Sequence, residues 1–126
     1  MSNTPVGISN TVSAALDARF QAPVITLEVF GEGRAIVSTY IAPQAASGGK
    51  APVEEVVWWF QKTTGFTIPN DLTPVTLDSW ADSNGGQVIT RDLTIEDQGQ
   101  AVELPIDFTP APDTVLVVVG YITHED

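Results

Sequence analysis

The chain has 126 residues, of which 43% are hydrophobic, nine are proline, ten are glycine, one is histidine and none is cysteine. That length suits one domain whose core needs no staples, and the missing thiols exclude disulfide frameworks, thiolate nucleophiles and cysteine-based zinc sites. Sixteen acidic residues against five basic ones leave a net charge of −11, which disfavours nucleic acid, whose affinity comes mostly from Lys and Arg neutralising phosphates.

The charge is uneven. Up to Asn70 there are five acids and four bases, and from Asp71 onward eleven acids stand against Arg91 alone. Solubility is the plain explanation. The sharper one is an acidic outer face opposite a more neutral face that docks on a partner. No apolar run approaches the ~20 residues of a membrane helix. The start, Met1-Ser2-Asn3-Thr4-Pro5-Val6-Gly7, lacks the basic and apolar regions of a secretory signal, so cytoplasmic synthesis is expected.

In chain order, Asn10–Phe20 places Val12, Leu16 and Phe20 at i, i+4 and i+8, with Ser9 or Asn10 as an N-cap. Two helical turns are marginal unless they pack on something, so a short helix and an extended arm are equally compatible. Residues 1–22 are assigned to this arm or helix and 23–126 to the main domain. Val24–Phe30 and Ala35–Ile41 are β-branched runs joined by a glycine-containing link, the pattern of a hairpin. Ala42–Pro52 reads as an exposed loop. Val53–Phe60 follows, apolar on both faces after Glu55. Such a strand is central in the fold or has one face on a partner. Thr63–Trp80 is interrupted by Gly65, Pro69 and Pro74, and short strands or irregular extended pieces are expected there.

Asp82-Ser83-Asn84-Gly85-Gly86 is a turn signal that launches Gln87–Ile95. In that strand Ile89, Leu93 and Ile95 share one face. Glu96-Asp97-Gln98-Gly99 leads into Gln100–Ile106, where Val102, Leu104 and Ile106 point inward. Pro105 cannot donate to a ladder, so this is an edge strand or its end. After a proline-rich link, the unbroken run Thr114–Ile122 predicts a central strand buried on both faces. Seven or eight short strands with this turn spacing predict an all-β fold, a single β-sandwich or small barrel.

Catalytic chemistry finds little support. The lone His124 stands beside Glu125-Asp126 in what reads as a frayed tail, whereas a catalytic base must be held rigidly. Glu54-Glu55, Asp92 and Glu96-Asp97 can be nominated as a carboxylate pair for glycoside hydrolysis. On strands they read as outward and solvated, with nothing to mark a general acid. Asp78, Asp82 and Asn84 faintly suggest a calcium loop, but the twelfth position counted from Asp82 is Leu93, not Glu. No cofactor or metal is implied.

Trp58, Trp59, Phe60, Phe66 and Trp80 are the notable group. Adjacent residues on a strand face opposite ways. Either both faces of the Trp58–Trp59 strand are covered within the chain, or one Trp serves an interface. Tryptophan on a β-sandwich can also stack on sugar rings, as in carbohydrate-binding modules, with Trp58 or Trp59 and Trp80 as the platforms.

The arm-like start Met1–Ala22, the cysteine-free acidic β-sandwich and the proline-rich link into the closing strand Thr114–Ile122 resemble the small capsid decoration (cement) proteins of tailed bacteriophages. The resemblance covers the whole chain in general character. It implies a jelly-roll-like sandwich in preference to an Ig-like one, no enzymatic activity, and a homo-oligomer, frequently a trimer in that group. It also implies the major capsid protein as partner and a place on the virion surface. Phage tail or baseplate accessory domains fit the same description. Val12, Leu16, Phe20, Trp58, Trp59 and Trp80 are the interface candidates under this reading.

Overall fold

A computed structural model of the chain describes residues 6–11, 20–21, 24–31, 33–47, 49–67 and 73–125. Among these the chain is mostly β. In order they form β1 (Val6–Thr11), β2 (Phe20–Gln21), β3 (Val24–Gly31), β4 (Arg34–Ile41), β5 (Pro52–Thr63), α1 (Pro74–Ser83), β6 (Gln87–Asp92), β7 (Gln100–Asp107) and β8 (Thr114–His124), with short 3-10 turns at Gln44–Ser47 and Ile95–Asp97.

The expected hairpin is β3–β4, paired antiparallel from Val24↔Tyr40 to Gly31↔Arg34. Its tight link needs Gly33, whose φ is +77°, a region that glycine enters without steric cost. Space is short there too. A Cβ on Gly33 would collide with the Phe108 carbonyl, while the Phe108 N–H donates to the Gly33 carbonyl at 2.8 Å. On its other side β4 pairs with β7, from Arg34↔Asp107 to Ile41↔Gln100. The smaller sheet is therefore β3-β4-β7, with β7 at an edge as Pro105 predicts.

The larger sheet runs β1-β8-β5-β6, with β2 also paired to β8. β8 lies inside it, parallel to β1 and antiparallel to β5 and β2. The unbroken apolar run thus gives a central strand, buried from Val115 to Ile122. Two stretches within residues 1–22, the segment expected as an arm or helix, are strands paired to β8. Residues 12–19, which include Val12 and Leu16, lie outside the described residues.

The two sheets share one layer of side chains. Val57 and Trp59 of β5 and Leu116 and Val118 of β8 meet Ala35 and Val37 of β4 and Leu104 and Ile106 of β7. Ile41, Leu93, Val102 and Ile122 close one end of that layer. A second apolar layer lies on the opposite face of the larger sheet, where Trp58, Phe60, Val117, Val119 and Tyr121 receive Leu77 and Ala81 of α1.

α1 corrects the expectation of strands or extended pieces through Thr63–Trp80. Pro74 does not break this element; it begins it. Thr73 is the N-cap, its Oγ1 accepting from the Thr76 N–H at 3.3 Å, and Pro74 occupies the first turn, where its missing N–H has no intrahelical role. Asn84 closes the helix, donating to the Trp80 carbonyl from its backbone N–H at 3.0 Å and from Nδ2 at 2.8 Å. The chain then returns through Gly86, where a Cβ would collide with the Trp59 carbonyl. That close approach lets β6 begin directly beside β5. β6 is shorter than the sequence suggests, ending at Asp92, and Ile95 sits exposed in a 3-10 turn.

Candidate binding surface

The aromatic group is spent mainly on the chain itself. Trp58 and Trp59 are 3% and 4% exposed, on opposite faces of β5. Trp58 Nε1 donates to Asp78 Oδ1 of α1 at 2.7 Å, and its ring lies 5.2 Å from that of Tyr121. Trp59 lies 6.4 Å from Phe108. Of the two alternatives for this strand, the fold has both faces covered. Neither ring offers a stacking platform, which removes two of the three tryptophans from the carbohydrate-binding arrangement. Trp80 is half-buried, edge-on to Phe60 and Phe66, with Lys62 Nζ 5.2 Å from its ring centre. Phe20 lies in β2, and nothing of its side chain is described.

The supposed frayed tail is a strand end. His124 is 5% exposed, and Glu125 is tied to Ala51 through two hydrogen bonds, N–H to carbonyl at 3.0 Å and Ala51 N–H to Oε1 at 3.2 Å. Among the described residues no three His, Asp or Glu side chains stand where they could hold a metal ion. Asp78 and Asp82, of the faint calcium-loop pattern, lie on α1, and Asn84 is its C-cap.

One carboxylate departs sharply from the solvated picture. Asp92 and Glu96 are exposed, but Glu55 is fully buried, in phase with Val57 and Trp59 on the face of β5 that meets the other sheet. Its in-register neighbours are Ile122 of β8 and Arg91 of β6, and Thr39 of β4, also fully buried, lies beside its carboxyl. Neither carboxyl oxygen nor Thr39 Oγ1 makes a well-formed protein hydrogen bond. Burial pushes the Glu55 carboxyl above its ordinary 4.5, with Thr39 and the Arg91 guanidinium pulling it down and Asp97 adding to the rise. The sequence signal was its phase: Glu55 alternates with two residues that are themselves core.

The two outer faces of the fold differ. That of the larger sheet carries α1. That of β3-β4-β7 is bare among the described residues, with Phe30 53% and Tyr40 43% exposed. Cross-strand rows on it read Glu28–Ile36–Pro105 and Thr26–Ser38–Glu103, with Arg34 opposite Asp107 at one end. Phe30, Arg34, Ile36, Pro105 and Asp107 line a shallow hollow of about 400 Å³ there. A smaller hollow, about 320 Å³, lies between α1 and the start of β6 and is bordered by Asp78 and Asp82. The charge division along the sequence does not become a division in space. β7, from the acidic half, lies beside β4, from the neutral half, so the bare face itself carries Glu28, Glu103 and Asp107 against Arg34.

The chain matches no protein-family model, and no curated protein or solved structure shows significant similarity to it.

Proposed function

We propose that this chain is a non-enzymatic structural and binding protein, a jelly-roll-like β-sandwich that decorates the outside of a viral capsid as a homo-oligomer. The observation that supports the reading is the contrast between the two outer faces. One carries α1; the other presents Phe30, Ile36, Tyr40 and Pro105 among polar groups. Aromatic side chains ringed by polar ones are the composition of docking surfaces, where a few large residues dominate the energy. With Glu28, Glu103 and Asp107 around the apolar row, the matching surface on the major capsid protein carries Lys or Arg.

The test is co-sedimentation of the purified chain with capsid shells of the virus that carries its gene, before and after Phe30→Asp. Saturable binding at a fixed ratio per shell is expected, weakened by at least about tenfold in the variant with an unchanged circular dichroism spectrum. Absence of binding to the shells overturns the proposal, as does a gene lying outside any cluster of virion genes.

A further inference from the structure

We propose that Glu55 is a proton-operated latch in the layer between the two sheets: as the uncharged acid it lets β5 close on β4, and on losing its proton it loosens this end of the layer. The geometry leaves an ionised carboxylate badly placed. Glu55 and Thr39 face one another from opposite sheets with no exposed surface, and neither carboxyl oxygen has a protein donor in good geometry. A buried charge without a partner costs several kcal/mol or is avoided by neutralisation.

Charged and titratable groups around it come from three elements. Arg91 on β6 is the cross-strand neighbour, but its guanidinium is 40% exposed and turned to Asp97, 3.7 Å away. Asp97 itself, from the 3-10 turn after β6, opposes ionisation of Glu55. On β8, His124 lies two residues beyond Ile122, the register partner of Glu55, and its buried Nδ1 has no hydrogen-bond partner. β7 contributes Val102 at this end and no charge. The Thr39 hydroxyl and the Arg91 guanidinium favour the ionised form, but less than burial opposes it, so together they replace only part of the water a carboxylate gives up.

The direction of the pH effect follows. Glu55 has a higher pKa folded than unfolded, so its contribution is fully favourable below about 4.5 and is lost as pH rises through the folded value. Each unit of elevation lowers the folded-to-unfolded ratio about tenfold above that value. The acidic surface also loosens the fold as pH rises, but that background is shared by a variant with an amide in place of the carboxyl.

The experiment follows thermal unfolding and tryptophan emission from pH 4 to 9 for the wild type and Glu55→Gln. Trp59, buried on the same face of β5, reports opening of the layer. The wild-type curve is expected to fall more steeply with pH, with emission shifting to the red before global unfolding, and the variant to lack that extra fall. Parallel curves overturn the proposal. Should Glu55→Gln not fold, Arg91→Gln at the half-exposed neighbour serves instead. Removing the one cation that favours ionisation is expected to move the transition to higher pH, and an unmoved transition also overturns the latch.

Discussion

The indole N–H of Trp58 on β5 donates to the carboxylate of Asp78 on α1 at 2.7 Å. It is a side-chain pin beside the apolar contact of Leu77 and Ala81 with the larger sheet. Truncating the acceptor strands the indole donor in that contact. Asp78→Ala is expected to cost about 1–3 kcal/mol and Asp78→Asn, which keeps an acceptor, clearly less. Urea denaturation of the two variants against the wild type checks this.

Tyr121 is pushed up to about 12 from the ordinary 10.0, first by burial and then by the charges of Asp78 and Glu54. Its folded value is the higher, so the associated stability is complete below pH 10 and disappears as pH rises through 12. An alkaline absorbance titration should show this phenol ionising late, and Asp78→Asn should bring it down. Tyr121→Phe should remove this loss from the alkaline limb of the stability profile.

Gly86 and Gly85 separate two reasons for a glycine. At Gly86 a Cβ meets the Trp59 carbonyl and the Phe60 backbone, whereas at Gly85 the space is open and φ is +68°. Gly86→Ala must push β6 away from β5 and is expected to cost about 3 kcal/mol or more. Gly85→Ala bears only the left-handed penalty, about 1 kcal/mol. Chemical denaturation of the pair reads the difference directly.

Thr73→Ala removes the side-chain acceptor at the first turn of α1 and is expected to cost about 1 kcal/mol. Thr73→Ser, which keeps the oxygen, should restore most of it. Thermal melts of both variants test the cap.

The strands were legible wherever local pattern and global position agree. The β3–β4 pair, the inward Val102–Leu104–Ile106 row and the central β8 all follow from period-two alternation or from unbroken apolar runs. α1 was not, because proline was read as an interruption when, directly after Thr73, it marks a helix start; Leu77, Trp80 and Ala81 then supply a helical face. Glu55 was missed for a different reason. A carboxylate is outward by default, and only its phase with Val57 and Trp59 says otherwise. The aromatic pair leaves two arrangements open in the sequence. Trp58 and Trp59 read as more tryptophan than one core face can hold, which is true, but the helix supplies the second core. Phe30 and Tyr40, exposed in the fold, carry no such signal in the sequence, where each is one outward position of an alternating strand.

The place of β8 has a consequence for how the molecule is made. β1, β2 and β5 all pair with this one strand, yet more than a hundred residues separate β1 from it in the chain. While a ribosome is still adding residues 60 to 110, the larger sheet has no middle. The β3–β4 hairpin and the β5–β6 pair can form, but Trp58 and Trp59 stay uncovered on strands with free edges. Sheets that wait on such distant pairing are slow to form and open to aggregation meanwhile. A nascent chain halted before Thr114 should therefore engage chaperones, and one extended past His124 and clear of the exit tunnel should release them.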